Sequence, residues 1–164
     1  MENLRIAIGS DHGGYEYKEQ IVSHLTKKGY ECVDVGTYST DSCDYPVIAR
    51  TVTTKITAGE ADRGILICGT GIGISIACNK IRGIRAAVCT DRYMAEMTRH
   101  DNNANVLCLG ARLGISKEFR NIEEIVDSFI HSFYDGGRHD RRLSKIKKLE
   151  EINIGEKMKY GNNI

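Results

Sequence analysis

The chain has 164 residues, the length of one ordinary domain with a single core. Its 23 Lys and Arg residues nearly balance 22 Asp and Glu residues, so the net charge of +1 disfavours proteins that bind nucleic acids or membrane surfaces through a charge excess. Hydrophobic residues make up 41%, as in globular rather than disordered proteins. No apolar run approaches the ~18 residues of a membrane helix, and the first residues lack a signal-peptide layout, so we expect a cytoplasmic protein.

Short apolar runs alternate with segments of helical periodicity along the chain. Five strands are predicted, and several are apolar at consecutive positions, as in parallel strands covered on both faces: 4–9, 31–36, 63–68, 84–89 and 105–110. The repeated strand–helix order predicts right-handed crossovers. We therefore expect an α/β domain of the doubly wound, Rossmann-like type, a five-stranded parallel sheet with helices on both faces and strand order 2-1-3-4-5.

Apolar stripes at helical spacing lie between the predicted strands. The first occupies residues 17–25 and ends before Gly29, a common helix stop. The second occupies residues 48–56 and opens with Pro46, which the first turn of a helix tolerates. The third is the most regular and extends from 119 to 133.

The C-terminal part of the chain is more highly charged. Residues 138–152 are typical of an amphipathic helix with apolar side chains at intervals of three, and the residues after Gly155 are polar. We expect residues 1–143 to form the Rossmann-like domain and residues 144–164 to form a charged helix and polar tail that pack on the domain or on a partner subunit. Acidic residues among the lysines disfavour an arm that binds nucleic acid.

Residues with useful chemistry follow three of the predicted strands. Asp11 and His12 follow the first strand, Cys68 and a glycine-rich turn at 69–73 end the third, and Arg112 follows the fifth. Ligands of open parallel sheets bind at the carboxyl ends of the strands, so we expect these residues to share a site. None of them has metal-ligand spacing, and no two of the six cysteines are spaced as in a zinc or redox motif.

The turn at 69–73 reads Gly-Thr-Gly-Ile-Gly and joins a buried strand to a helix predicted to begin near Ile72. Its glycines leave main-chain N–H groups open to an anion. Cys68 adjoins this turn, where such groups can favour a thiolate that acts as a base, although a buried core cysteine is the alternative. The turn lacks the Walker lysine and has G-x-G-x-G rather than G-x-G-x-x-G spacing, which disfavours nucleotide and dinucleotide binding; a purely structural turn remains open.

Two arginines near the C-terminus form a second candidate anion site. Arg138 and Arg142 are four residues apart and would share one face of a helix. Two guanidinium groups on one face suit a phosphate monoester, and a solvated basic face is the alternative.

These motifs resemble those of the sugar-phosphate isomerase family that contains the type B ribose-5-phosphate isomerases and the subunits of galactose-6-phosphate isomerase. The likeness extends from about residue 4 to residue 146. Its carriers are GSDH at 9–12, DYP at 44–46, GEAD at 59–62, GILICGTGIG at 64–73, NK at 79–80, GIRAA at 83–87, NVL at 105–107 and GGRH at 136–139.

The resemblance implies a cofactor-free, metal-free isomerisation of ribose 5-phosphate and ribulose 5-phosphate through an enediolate. Cys68 would be the base, and Thr70 with the main-chain N–H groups of the turn would hold the enediolate oxygens. The resemblance also implies a homodimer or dimer of dimers with active sites at the subunit interface. The balanced charge, by contrast, is the reason to expect no nucleic-acid or membrane partner. The implied contacts to the sugar and phosphate are Asp11, His12, Gly69, Gly71, Ile72, Gly73, Asn102, Arg112, Arg138 and Arg142.

One position departs from the family pattern. The family has a histidine, which opens the sugar ring, immediately before the asparagine that corresponds to Asn102. This chain has Asp101 there and His100 one position earlier. Adjacent helical residues point about 100° apart, so His100 is not a direct replacement. We assign ring opening to Asp101 and His100 jointly.

The altered position leaves two further hypotheses open. The protein could isomerise a six-carbon sugar phosphate, such as allose 6-phosphate or galactose 6-phosphate. It could also be a module that binds sugar phosphates without catalysis.

Overall fold

The computed structural model describes residues 4–112 and 119–151. The strands are β1 (Arg5–Ser10), β2 (Glu31–Asp34), β3 (Arg63–Cys68), β4 (Ala86–Val88) and β5 (Val106–Gly110). The helices are α1 (Tyr15–Lys27), α2 (Tyr45–Thr57), α3 (Ile72–Cys78), α4 (Arg92–His100), α5 (Phe119–His131) and α6 (Arg138–Glu151), and a short 3₁₀ helix spans His12–Gly14. Every strand lies within two residues of its predicted bounds.

All five strands are parallel and pair in the order β2-β1-β3-β5-β4. The predicted α/β class is confirmed, and the predicted order 2-1-3-4-5 is wrong, because β5 lies between β3 and β4. The reason is burial. The three residues of β4 are only half-buried, whereas Val106, Leu107 and Cys108 of β5 are fully buried. The longer apolar strand takes the interior position and the short strand takes the edge.

Helices cover both faces of the sheet. Side chains alternate between the faces along each strand, so neighbours such as Ile65 and Leu66 enter different cores. One core contains residues of α1, α4 and α5, including Phe129, and the other contains residues of α2 and α3, including Val52 and Ile74. This arrangement leaves the two ends of the sheet as the places where loops can form sites.

Helix α5 ends earlier than its apolar stripe predicts. The stripe extends to Phe133, but the helix stops at His131 and Phe133 is 67% exposed, so the predicted end was wrong. The cause is Arg63, which begins β3 and donates hydrogen bonds to the carbonyl oxygens of Phe129 and Ile130 at 2.5 and 2.6 Å. A guanidinium group satisfies the last carbonyls of the helix there.

Helix α6 begins directly after Gly136 and Gly137, which have φ values of 67° and 60°. Its far end is tied to the loop before β4, where the Glu150 carboxylate accepts a hydrogen bond from Gly83 N at 3.2 Å. The predicted division between residues 143 and 144 falls inside this continuous helix, and the predicted Ile152 lies outside the described residues. Among the described helices, none has the length and apolarity needed to cross a membrane.

Candidate active site

The candidate residues fall into two groups at opposite ends of the sheet. We define the carboxyl-edge cluster as Asp11, His12, Cys68, Gly69, Thr70, Gly71, Ile72, Gly73 and Arg112. We define the amino-edge cluster as His100, Asp101, Asn102, Arg138 and Arg142.

Asp11 is fixed where β1 ends. Its Oδ1 accepts hydrogen bonds from Gly13 N at 2.9 Å and Gly14 N at 3.1 Å, so the carboxylate caps the 3₁₀ helix. The residue is 8% exposed. Next to it, His12 Nδ1 accepts a hydrogen bond from Cys43 N at 3.3 Å. The Asp11 carboxylate and the His12 imidazole are therefore held in place by main-chain donors.

Cys68 is the last residue of β3 and lies beneath the glycine turn. Its residue is 4% exposed, and Gly71 N donates a hydrogen bond to its Sγ at 3.2 Å. Gly71 has φ 76°, and a Cβ atom there would lie 3.0 Å from the Leu109 carbonyl carbon. Only glycine brings this N–H group against the sulfur without strain. The Cys68 thiol is therefore buried at the carboxyl end of the sheet, where it accepts a hydrogen bond from a main-chain N–H group.

The other thiols near this end lie deeper. Burial, followed by the nearby Asp91 carboxylate, raises the pKa of Cys89 to about 12. Burial also raises the pKa of Cys108 well above its usual value. These two side chains stay protonated at neutral pH. All six cysteines are free.

Arg112 connects the loops of three strands. Its N–H group donates to Gly69 O at 2.8 Å, which continues the β3–β5 pairing past the strand ends. Its guanidinium group packs on two glycines: a Cβ atom on Gly69 would lie 3.4 Å from Arg112 Cζ, and one on Gly13 would lie 3.5 Å from Nη2. A fixed positive charge therefore lies between the Asp11 loop and the turn after Cys68.

The glycine turn has an exposed outer side. Thr70 is exposed, and its Oγ1 accepts a hydrogen bond from Ile72 N at 3.3 Å. Ile72 is 56% exposed. Tyr45, the first residue of α2, packs its ring on Gly73, where a Cβ atom would lie 2.9 Å from the Tyr45 Cζ. Sequence reasoning did not place Tyr45 in the site, although the Asp-Tyr-Pro motif that contains it was a signal.

The amino-edge cluster lies at the other end of the sheet because α4 runs antiparallel to the strands. Asn102 O accepts a hydrogen bond at 3.0 Å from the Nε of Arg85, the residue just before β4. The length of β3 separates these two ends of the sheet, and its six residues rise about 3.3 Å each, or roughly 20 Å in all. Within one chain, the structure does not bring all the predicted residues together.

The two residues predicted to open the sugar ring have different partners. His100 Nδ1 lies 2.6 Å from Asp135 Oδ1, and its ring packs edge-on against Phe133 with 4.9 Å between the ring centroids. Asp101 Oδ1 lies 3.2 Å from the Nε2 atom of His139, a residue that sequence reasoning did not single out.

A metal site is not apparent in the part of the chain that the structure describes. Within residues 4–112 and 119–151, no group of three or more His, Cys, Asp and Glu side chains is placed to hold a metal ion. The chemistry of the carboxyl-edge cluster rests on a thiol, a carboxylate, an imidazole, a guanidinium and main-chain N–H groups.

Comparison with known proteins assigns the family. The profile of a family described as Ribose/Galactose Isomerase matches residues 6–146. The chain belongs to this family. A relative within it, ribose-5-phosphate isomerase B of Escherichia coli (strain K12), is 46% identical over 147 residues, which cover 90% of this chain and 97% of the relative.

Solved structures of isomerase-family members have the same fold. Clostridium thermocellum ribose-5-phosphate isomerase B has a TM-score of 0.86 and 50% identity, with 90% of this chain and 98% of that chain covered. Mycoplasma genitalium ribose-5-phosphate isomerase B, solved with bound ribulose-5-phosphate, has a TM-score of 0.84 and 40% identity, with 91% and 97% covered. The predicted family resemblance is confirmed by these matches.

Proposed function

We propose that this protein interconverts ribose 5-phosphate and ribulose 5-phosphate without a cofactor, through an enediolate. The observation that carries the proposal is the Cys68 sulfur at 3.2 Å from Gly71 N, at the ligand-binding end of a parallel sheet. A thiol next to a main-chain donor suits a base, because the donor stabilises the thiolate. The names of the relatives and the ribulose-5-phosphate bound to the Mycoplasma genitalium enzyme support the same reaction.

The proposed chemistry is a proton transfer between adjacent carbons. The Cys68 thiolate removes the proton from C2 of the open-chain aldose, the C2–H electrons form the C1=C2 bond, and O1 becomes the enediolate oxygen. O1 takes the proton of O2–H, the O2 electrons form the C2=O bond of the ketose, and the C1=C2 electrons take the proton back from the thiol at C1. The proposed donors to the developing charge are Thr70 and the main-chain N–H groups of residues 69–73, and one such donor is typically worth ~3–4 kcal/mol. In this structure the Gly71 N–H group bonds Cys68 Sγ and the Ile72 N–H group bonds Thr70 Oγ1.

The other residues predicted to contact the substrate differ in charge and therefore suit different groups of the sugar phosphate. Arg112 packs on Gly69, the residue after Cys68, and can bind a sugar oxygen or the phosphate, while Asp11 and His12 can bind sugar hydroxyl groups. Arg138 and Arg142 are both exposed on the first turns of α6 and suit a phosphate monoester. Asn102 can bind a sugar hydroxyl group.

We place the complete site at a boundary between two copies of the chain. A five-carbon sugar phosphate is much shorter than the roughly 20 Å between the two ends of the sheet, so it cannot touch both clusters within one chain. In a symmetric dimer, the carboxyl-edge cluster of each copy can face the amino-edge cluster of the other copy, so that two complete sites form. A homodimer or dimer of dimers with shared sites therefore accounts for both clusters.

Two variants, each impaired in one cluster of the proposed site, test the base and the shared site together. Cys68→Ala should lower kcat by about 10³-fold, in the range typical of a lost general base, with an unchanged circular dichroism spectrum. Cys32→Ala, which removes a half-buried thiol from β2, is the matched control and should retain activity. Arg142→Ala should raise KM for the sugar phosphate through lost ground-state binding.

Co-expression of the Cys68→Ala and Arg142→Ala chains should restore about a quarter of wild-type activity at low substrate. Random pairing makes half of the dimers mixed, and each mixed dimer has one intact site. Mixing that adds nothing would place each site within a single chain. A Cys68→Ala variant with normal turnover would remove the thiol from the chemistry.

Isomerisation of a six-carbon sugar phosphate is the second candidate, and Asp101 favours it because this position departs from the family pattern. Side-by-side assays of ribose 5-phosphate, allose 6-phosphate and galactose 6-phosphate distinguish the substrates. Calorimetric binding of ribose 5-phosphate without interconversion would instead indicate a binding module.

We also propose that the protein acts in the cytoplasm. Its six cysteines are free, and thiols of this number persist in reducing compartments.

A further inference from the structure

Asp101 has a buried partner. The Asp101 carboxylate oxygen lies 3.2 Å from His139 Nε2, and the two side chains are 44% and 7% exposed, respectively. Asp101 therefore reaches the surface of the amino-edge cluster while its partner lies beneath it. The Nε atom of Arg138 lies 3.2 Å from the same histidine nitrogen. His139 thus touches both Asp101 and an arginine of the proposed phosphate site.

The His100 side chain contacts other residues. Its Nδ1 pairs with Asp135 at 2.6 Å, its Nε2 lies 3.9 Å from Glu96, and its ring packs on Phe133. Its side chain is 16% exposed, compared with 44% for Asp101. Of the two residues assigned jointly from the sequence, Asp101 is the one that can reach a ligand.

We propose that Asp101 is the base that opens the sugar ring and that His139 is its positioning residue. The inference rests on the proposed function, because ring opening matters only if the substrate is a cyclic aldose phosphate. The Asp101 carboxylate removes the proton from the anomeric O1–H group, and those electrons form the C1=O bond. The C1–O4 bond breaks, and O4 takes a proton from water. Asp101 then gives its proton to the hydroxide that remains, which restores the water and the carboxylate.

His139 has two effects in this arrangement. With hydrogen on Nε2, His139 donates to Asp101 and holds the carboxylate toward the ligand. In the other tautomer Nε2 accepts from Arg138 Nε, so His139 makes one of these two contacts at a time and joins the base to the phosphate site through either. His139 lies buried in the first turn of α6, which makes its imidazole a rigid support. The anomeric hydroxyl group and the phosphate of one substrate can thereby bind to Asp101 and Arg138, which His139 connects.

The direction of the reaction provides the test. The phosphate of ribulose 5-phosphate blocks the hydroxyl group that would close a furanose ring, so this ketose is acyclic and its conversion needs no ring opening. Asp101→Asn should slow consumption of ribose 5-phosphate by about 10²-fold, while consumption of ribulose 5-phosphate should stay within about threefold of wild type. His139→Gln should show the same asymmetry to a smaller degree. His131→Gln, a histidine change at the exposed end of α5, is the matched control and should leave both directions unchanged.

An isotope effect gives an independent readout. Ribose 5-phosphate with deuterium at C2 slows a reaction that is limited by transfer to Cys68. If ring opening becomes limiting in Asp101→Asn, this deuterium effect should fall toward one. Asp101→Asn would overturn the inference if it lowered the rates of both directions equally, or if it slowed the forward reaction without changing the isotope effect. The inference would also be overturned if His100→Gln, and not Asp101→Asn, slowed only the forward reaction. Wild-type protein that is inactive in both directions would instead overturn the proposed function.

Discussion

The turn above the Cys68 thiol can adopt its geometry because Gly71 has no side chain. Gly71 combines a positive φ with close contact to the Leu109 backbone, so a methyl group there meets both backbone strain and a steric clash. The Gly71 N–H group is also the donor to Cys68. One residue thus serves both the stability of the turn and the proposed chemistry.

Gly71→Ala should therefore reduce stability and activity together. We expect a loss of about 2–3 kcal/mol in the free energy of unfolding, of which left-handed strain contributes about 1–2 kcal/mol, and a fall in kcat of about 10²-fold. The control is Gly59→Ala, with φ 72° and no atom within 4 Å of the added methyl group. It should show the strain alone and full activity. Equal destabilisation of the two variants in urea would contradict the clash, and normal kcat in Gly71→Ala would contradict the role of the turn.

At this scale, local sequence patterns predicted the residues that follow strands. Asp11, Cys68 and Arg112 could be placed at one edge because the ends of parallel strands coincide. Tyr45 and His139 could not be assigned in this way. Tyr45 contacts Gly73 and His139 contacts Asp101, and both contacts join residues that are far apart in the sequence. A local periodicity in the sequence does not predict such contacts.

The same distinction holds for the secondary-structure elements. Apolar runs located every strand to within two residues, but the strand order depended on a comparison between strands. The weaker apolar character of β4 relative to β5 was present in the sequence and indicated the edge strand. The end of α5 depended on Arg63, more than 60 residues earlier in the chain, and so could not be read from the stripe itself.

A buried lysine holds the segment that leads to α2. Lys18 on α1 has no exposed surface and contacts Asp34 at 2.5 Å and Glu19 at 2.6 Å. The other oxygen of Asp34 accepts a hydrogen bond from Gly36 N at 2.8 Å. This ion pair therefore fixes the start of the segment that carries Tyr45 to the glycine turn.

Lys18→Met should lower the free energy of unfolding by about 2–3 kcal/mol at pH 7, less than for a fully enclosed pair because Asp34 retains contact with water. Burial alone would lower the pKa of Lys18, but the hydrogen bonds that Lys18 donates to Asp34 and Glu19 outweigh burial and raise the pKa above 10.5. A raised lysine pKa adds stability that is fully present below pH 10.5 and is lost as the pH rises through the higher folded value.

Urea unfolding at several pH values checks this prediction. The advantage of wild type over Lys18→Met should be constant from neutral pH to about pH 9 and shrink above about pH 10.5. Lys27→Met, a change of an exposed lysine on the same helix, should have little effect at any pH. A difference between wild type and Lys18→Met that grows at high pH would contradict the ion pair as the source of stability.

The whole molecule exposes apolar side chains beside each half of the proposed site. Ile72 and Ile76 lie one turn apart on α3, and each is 56% exposed, while Ile146 and Leu149 on α6 are 40% and 51% exposed. Clustered exposed apolar residues are typical of interaction surfaces. In a two-fold dimer that joins the clusters, these surfaces of α3 and α6 would be buried on the partner.

Ile76→Asp should therefore weaken the dimer, because a charge would be buried at the interface without a partner. Sedimentation velocity should show a monomer at concentrations where wild type is dimeric, and specific activity should rise with protein concentration as the shared sites re-form. Ser23→Asp adds the same charge to the exposed side of α1, on the other face of the sheet, and should leave assembly and activity unchanged. An Ile76→Asp monomer with full activity would show that one chain holds a complete site, because a shared site has no activity without its partner.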